Sequence, residues 1–192
     1  MTNTLCDADG LLSVLPRVFA LSDCKQHCAD PDQLDRMLLT LLDDGQLLQV
    51  APPRPVFVRP PEHGRWDEPL LCEAIKRSFP SAIIAGGSAI YRQGASAEKD
   101  AFLECCVLET HGDCALPGVK IHRRPARWWQ ALHDAKGVTH KHDSLPVLTA
   151  AMAIADGTVF KDVWMPDQQR VDWDHVPAES LQQSREALLE LH

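Results

Sequence analysis

The tightest constraint in this sequence is the run DPDQLDRMLLTLLDDG, residues 30–45, which specifies one helix together with both of its ends. Asp30 is an N-cap, Pro31 fits the first turn where no amide donor is needed, and Gln33 is placed to close a capping box back onto Asp30. Leu34, Met37, Leu38, Leu41 and Leu42 recur at helical spacing and form one apolar stripe, and Gly45 supplies the left-handed residue that stops the helix. Such a helix buries one face and leaves the opposite one, which carries Gln33, Arg36 and Thr40, free.

The flanking segments decide what kind of helix this is. Upstream, LLSVLP and LSDCKQHCAD read as two short helices, the second capped by Ser22 and carrying Leu21, Cys24 and Cys28 at helical spacing. Downstream, the short apolar runs LLQV and VFV surround the corner APPRP. Two short helices, a capped helix and then a two-stranded ribbon is the order of a winged helix-turn-helix, with residues 30–45 in the recognition position. The next stretch, RPPEHGRW, has prolines, a glycine and no periodicity, as a linker does. The predicted fold class is therefore α+β: a winged helix-turn-helix over 1–60, a linker at 61–66, and a small mixed α/β C-terminal domain over 67–192.

In that second domain Asp67 caps a helix that runs to Pro80, and a Gly86-Gly87 turn opens another from about Ser88 to Gln93. AFLECCVLE and GVKIHRRP read as strands that can pair as neighbours, ARWWQAL as a helix, and GVTHKHDSLPV as irregular. A helix over about 148–156 is expected to end at Gly157, and a closing helix spans 178–191 after a turn-rich segment.

At 192 residues and 45% hydrophobic, the chain has enough apolar mass to bury a core. Its apolar runs are broken by Asp, Pro or Gly well before 18 residues, and MTNTLCDADG lacks a basic region followed by an apolar one. No membrane span or signal peptide is expected, and the expected compartment is the cytoplasm. Seven unevenly spaced cysteines fit reduced thiols better than a disulfide framework, with Cys24, Cys72, Cys105 and Cys106 as small core residues. The net charge of -8 runs against the basic character typical of DNA-binding domains. Residues 1–64 hold five basic side chains against nine acidic ones, so DNA contact falls to a local set: Lys25, Arg54 and Arg59 toward phosphate, and Gln33, Arg36 and Thr40 toward bases.

Other motifs carry less. A glycine-glycine-serine turn also precedes the acidic strand of polymerase-beta-type nucleotidyltransferases, which carries two metal ligands one residue apart. Here Asp100 is followed at that spacing by Phe102, and Glu104 lies too far along a strand to share its metal pair. Cys24, His27 and Cys28, and the group Cys105, Cys106, His111, Cys114 and His122, lack paired metal-ligand spacing. His140 and His142 fit a solvated loop, no serine sits in a nucleophile elbow, and Trp128 and Trp129 fit a helix split between core and surface better than a base-stacking platform. No catalytic residues, metal or cofactor are assigned.

Taken in order, LLTLLDDGQLLQVAPPRPVFVRP, IIAGGSAIYRQGAS, FLECCVL, LPGVKIHRRP, LPVLTAAMAIAD and WMPDQQRVDW resemble the AbiEi family of antitoxins and transcriptional regulators from type IV toxin-antitoxin and abortive-infection systems. The resemblance implies a winged helix that binds inverted operator repeats and represses its own operon, with the recognition helix at 31–44 and the wing at 47–58. It also implies a C-terminal domain that counters a nucleotidyltransferase-type toxin without a stable complex. A winged-helix protein-interaction module without DNA binding, and a degenerate nucleotidyltransferase-like domain, are the alternatives.

Overall fold

The computed structural model describes residues 7–50, 55–108, 114–140 and 145–191. The chain is α+β, with eight α-helices and two sheets among those residues, and it divides into two compact units. The first comprises Met1–Pro80 with His111–Pro117, and the second Ser81–Thr110 with Gly118–His192.

In the first unit α1 (Ala8–Val14) is capped by the Asp7 carboxylate and leads into β1 (Val18–Ala20). The expectation of a helix capped by Ser22 is corrected: α2 (Leu21–Cys24) is a single turn that starts at Ala20, whose amide donates to Asp23 Oδ2 at 2.9 Å. Strand β1 was hidden between two helical signals because three residues show too little alternation to be read. Helix α3 (Pro31–Asp43) follows as expected, with Asp30 Oδ1 accepting from the amides of Asp32 (3.0 Å) and Gln33 (3.3 Å). Gly45 takes φ +69° just beyond it. Strands β2 (Leu48–Gln49) and β3 (Val56–Val58) complete an antiparallel sheet in the order β1-β3-β2, the central strand buried along its length.

The stripe Leu34, Leu38 and Leu41 of α3 packs into one core with Leu11, Phe19 and Phe57. The division between units falls after Pro80, later than the 61–66 segment expected to separate the domains. Helix α4 (Glu68–Ser78), capped by Asp67, packs on β1 and β3, so its buried face serves the first unit's sheet. The later segment around Leu116 also joins this unit, where the Ala115 amide donates to the Val50 carbonyl at 2.9 Å.

The second unit is built on a five-stranded mixed sheet in the order β6-β5-β4-β8-β7. Strand β4 (Ile83–Ile84) leads through α5 (Gly86–Arg92) to β5 (Leu103–Val107), which is buried throughout, as a near-continuous apolar central strand should be. Strand β6 (Val119–Arg123) pairs with β5 in parallel register. After α6 (Ala126–Asp134), the segment read as irregular contributes β7 (Val138–Thr139) and β8 (Val147–Leu148), whose two-residue length explains why no periodicity showed. Helix α7 (Ala150–Phe160) runs through Gly157 rather than stopping there, and Lys161 at φ +57° ends it. Gly157 serves close packing instead: a Cβ there would stand 2.5 Å from the Met165 sulfur. Helix α8 (Ala178–Leu189) packs on α6 and α7. No helix among the described residues is long and apolar enough to cross a membrane.

Candidate functional site

On α3 the residues turned away from the core are Asp32, Asp35, Arg36, Leu39, Thr40 and Asp43, all exposed. The helix's own backbone orders two of them. Arg36 Nε donates to the Asp32 carbonyl at 3.1 Å and Thr40 Oγ1 to the Arg36 carbonyl at 3.0 Å. Gln33 is half-buried, and with Asp30, Arg36, Met37, Thr40 and Ala8 of α1 it lines an open depression of about 520 Å³. Lys25 is exposed in the turn that joins α2 to α3. Arg36 and Thr40 thus share one exposed surface, and Gln33, expected there too, stands half-buried at its edge.

Arg59, expected toward phosphate, has bonds within its own unit. Its Nη1 and Nη2 donate to the carbonyls of Leu12 and Leu15, each at 2.8 Å, so the guanidinium is committed to the C-terminal end of α1. Such carbonyls have no partner within their own helix, and a charged donor satisfies them better than water does. Arg54 lies outside the described residues, as do His111 and His142.

The second unit holds a charge cluster that the sequence did not reveal. Arg124 is fully buried and grips two carboxylates: Nε and Nη2 donate to Asp156 at 2.9 and 2.7 Å, and Nη1 and Nη2 donate to Asp162 at 2.8 Å each. Trp128 Nε1 adds a bond to Asp156 Oδ1 at 2.8 Å, and the Phe160 ring lies 4.1 Å from the guanidinium carbon. His122 stands between Asp162 Oδ2 (3.5 Å) and Glu104 Oε1 (3.4 Å), lengths at which attraction of charge matters more than hydrogen bonding. Burial works to lower the pKa of His122, and the two carboxylates outweigh it and hold it up at about 9, so the imidazole is cationic at neutral pH. Burial alone would raise the Asp162 carboxyl, but His122 and Arg124 hold it well below the usual carboxylate range. Cys106 is fully buried, and its thiol is pushed well above the ordinary range by burial and then by Asp156.

This geometry bears on the nucleotidyltransferase alternative. Asp100 precedes the strand, in a turn where its Oδ1 accepts from the Phe102 amide. The carboxylate on the strand is Glu104, and two residues on stands the neutral Cys106. Glu104 Oε2 already accepts the Trp164 amide at 2.8 Å, while its amide donates to Ser88 Oγ at 3.2 Å. The glycines of the Gly86-Gly87-Ser88 turn make room for this packing. A Cβ at Gly86, where φ is +55°, would stand 2.5 Å from Glu104 Oε2, and one at Gly87 would overlap the Trp164 indole. No group of three or more His, Cys, Asp or Glu residues placed to hold a metal occurs among the described residues. Trp128 is buried and Trp129 half-buried, so the pair is split between core and surface and Trp128 offers no face to a base.

One signal was available in the sequence. Glu104 in FLECCV and Asp156 in AAMAIADG are charges set inside apolar runs, and a buried charge demands a partner. Which partner it meets depends on residues far along the chain.

Comparison with protein families finds no match to this chain. Comparison with curated proteins finds none either. Among solved structures, the fold is similar to that of the RV2827C protein from Mycobacterium tuberculosis, with a TM-score of 0.57 at 17% identity over 93% of this chain and 69% of that one. That likeness is one of fold.

Proposed function

We propose that the chain is a DNA-binding transcriptional regulator whose first unit is a winged helix-turn-helix, and that it acts as the antitoxin of a type IV toxin-antitoxin system. The observation that carries the DNA-binding reading is the first unit's plan. A turn links α2 to α3, the three-stranded sheet β1-β3-β2 sits behind them, and α3 keeps its polar side exposed. Arg36, Gln33 and Thr40 face bases in this reading, and Lys25 and Arg54 face phosphate. Arg59 leaves the contact set because its donors hold α1. The reading takes operator DNA with inverted repeats as the partner, met by two copies of the chain.

The antitoxin role rests on the resemblance of the ordered motifs. In this reading the second unit supplies that role, built around the Arg124–Asp156 pair. It would counter a nucleotidyltransferase-type toxin without a lasting complex.

A second reading has its own observation: the outer face of α3 sets Asp32, Asp35 and Asp43 against one cation, Arg36, which suits a basic protein partner. A mobility-shift titration with the DNA upstream of the chain's own gene, at low salt, separates the two. A shift that Arg36→Ala abolishes supports the regulator, and no shift by the wild-type chain refutes it.

A further inference from the structure

Leu39 stands on the outermost side of α3 and is 59% exposed. Asp35 and Asp43 flank it one turn away on either side, and Arg36 and Thr40 lie beside it, all exposed. A single exposed leucine is ordinary on a protein surface. This one is distinguished by its place, because it lies apart from the stripe of Leu34, Leu38 and Leu41 and on the side that carries the proposed base contacts. A helix lying in the major groove points such side chains at base edges, and those edges are polar except for the 5-methyl group of thymine. Three carboxylates on the same face weaken its attraction to phosphate, so base contacts decide more of the affinity there.

We propose that Leu39 is a specificity-determining residue that packs against the 5-methyl of a thymine in the major groove. The proposal rests on the DNA-binding reading above and adds to it a base that the helix selects. Arg36, exposed on the same face with Nε donating to the Asp32 carbonyl, has in its two η nitrogens the donor pair that guanine O6 and N7 accept. Side chains three apart on a helix are separated by roughly 5–6 Å at Cβ, about one or two base steps. The sequence read therefore places a thymine within a step or two of a guanine.

The test is a fluorescence-anisotropy titration of the full chain against the duplex upstream of its own gene, prepared once with thymine and once with uracil replacing it, which removes the methyl groups alone. The wild-type chain should bind the uracil duplex more weakly by about fourfold for each buried methyl, one packed by each copy of the chain. Leu39→Ala should bind the thymine duplex more weakly than wild type and respond to the replacement by less than a factor of about 1.5, with Leu39→Val in between. The exposed position leaves folding intact, which an unchanged melting temperature verifies. Equal binding of both duplexes by the wild type, or a Leu39→Ala response as large as the wild type's, overturns the proposal and leaves the DNA-binding reading standing. Failure of the wild type to bind either duplex removes both.

Discussion

Replacing Arg124 by methionine removes the cation on which the second unit's buried charges depend, and its cost follows from the contacts. Asp156 is fully buried and takes two hydrogen bonds from the guanidinium, leaving Trp128 Nε1 as its remaining side-chain donor among the described residues. Asp162 is 42% exposed, so water replaces most of what it loses, and its share is discounted to about 0–1 kcal/mol. Stranding a buried carboxylate costs about 3–5 kcal/mol, and methionine retains much of the stem that packs near Phe160. Urea unfolding followed by tryptophan fluorescence reads this, because four of the five tryptophans, Trp128, Trp129, Trp164 and Trp173, belong to the second unit. The Arg124→Met midpoint should fall by an amount equivalent to about 3–5 kcal/mol. In the double variant with Asp156→Asn, which removes the stranded charge and keeps an acceptor for Trp128, at least about half of that loss should return. A single variant within about 1 kcal/mol of wild type, or a double variant no more stable than the single, would refute the reasoning.

Three further outcomes follow from individual contacts. Arg59→Ala, by orphaning the Leu12 and Leu15 carbonyls, should lower stability by about 1.5–3 kcal/mol in thermal unfolding, while the folded fraction keeps its DNA affinity; a selective loss of affinity would return Arg59 to a phosphate role. Because the folded pKa of His122 is raised from its ordinary 6.5 to about 9, its stabilising contribution is complete below pH 6.5 and fades as pH rises through 9. Chemical denaturation between pH 6 and 10 should show that decline and show it flattened in His122→Gln. Gly87→Ala, which drives a methyl into the Trp164 indole, should cost about 1–3 kcal/mol and shift tryptophan emission; a neutral outcome would mean that this turn is loosely packed.

The helices most legible in the sequence were those with their ends marked locally. Asp30 and Gly45 bracket α3, and Asp67 opens α4, because capping depends on residues within one turn. Allegiance to a unit is not local: α4 follows a linker-like stretch yet packs on the first sheet, and Gly157 looked like a stop signal until Met165 gave its small size another use. The same distinction divides the site residues. Arg36 and Thr40 share a face by helical periodicity alone, whereas Glu104, His122, Arg124, Asp156 and Asp162 are joined by strand pairing and helix docking across long separations in the chain. The bonds of Arg59 were hidden for this reason, since nothing near it in sequence indicates that α1 ends beside it.

The central claim, that α3 of the first unit enters a DNA groove with little help from phosphate, is tested most directly by the salt dependence of binding to the duplex upstream of the chain's own gene. With Lys25 and Arg54 of each of two copies facing phosphate, and about -0.9 in slope for each contact, log K against log salt should fall with a slope no steeper than about -4. The affinity should also exceed that for a scrambled duplex at every salt concentration. Equal binding to the scrambled duplex, or no binding at the lowest salt, would contradict the claim.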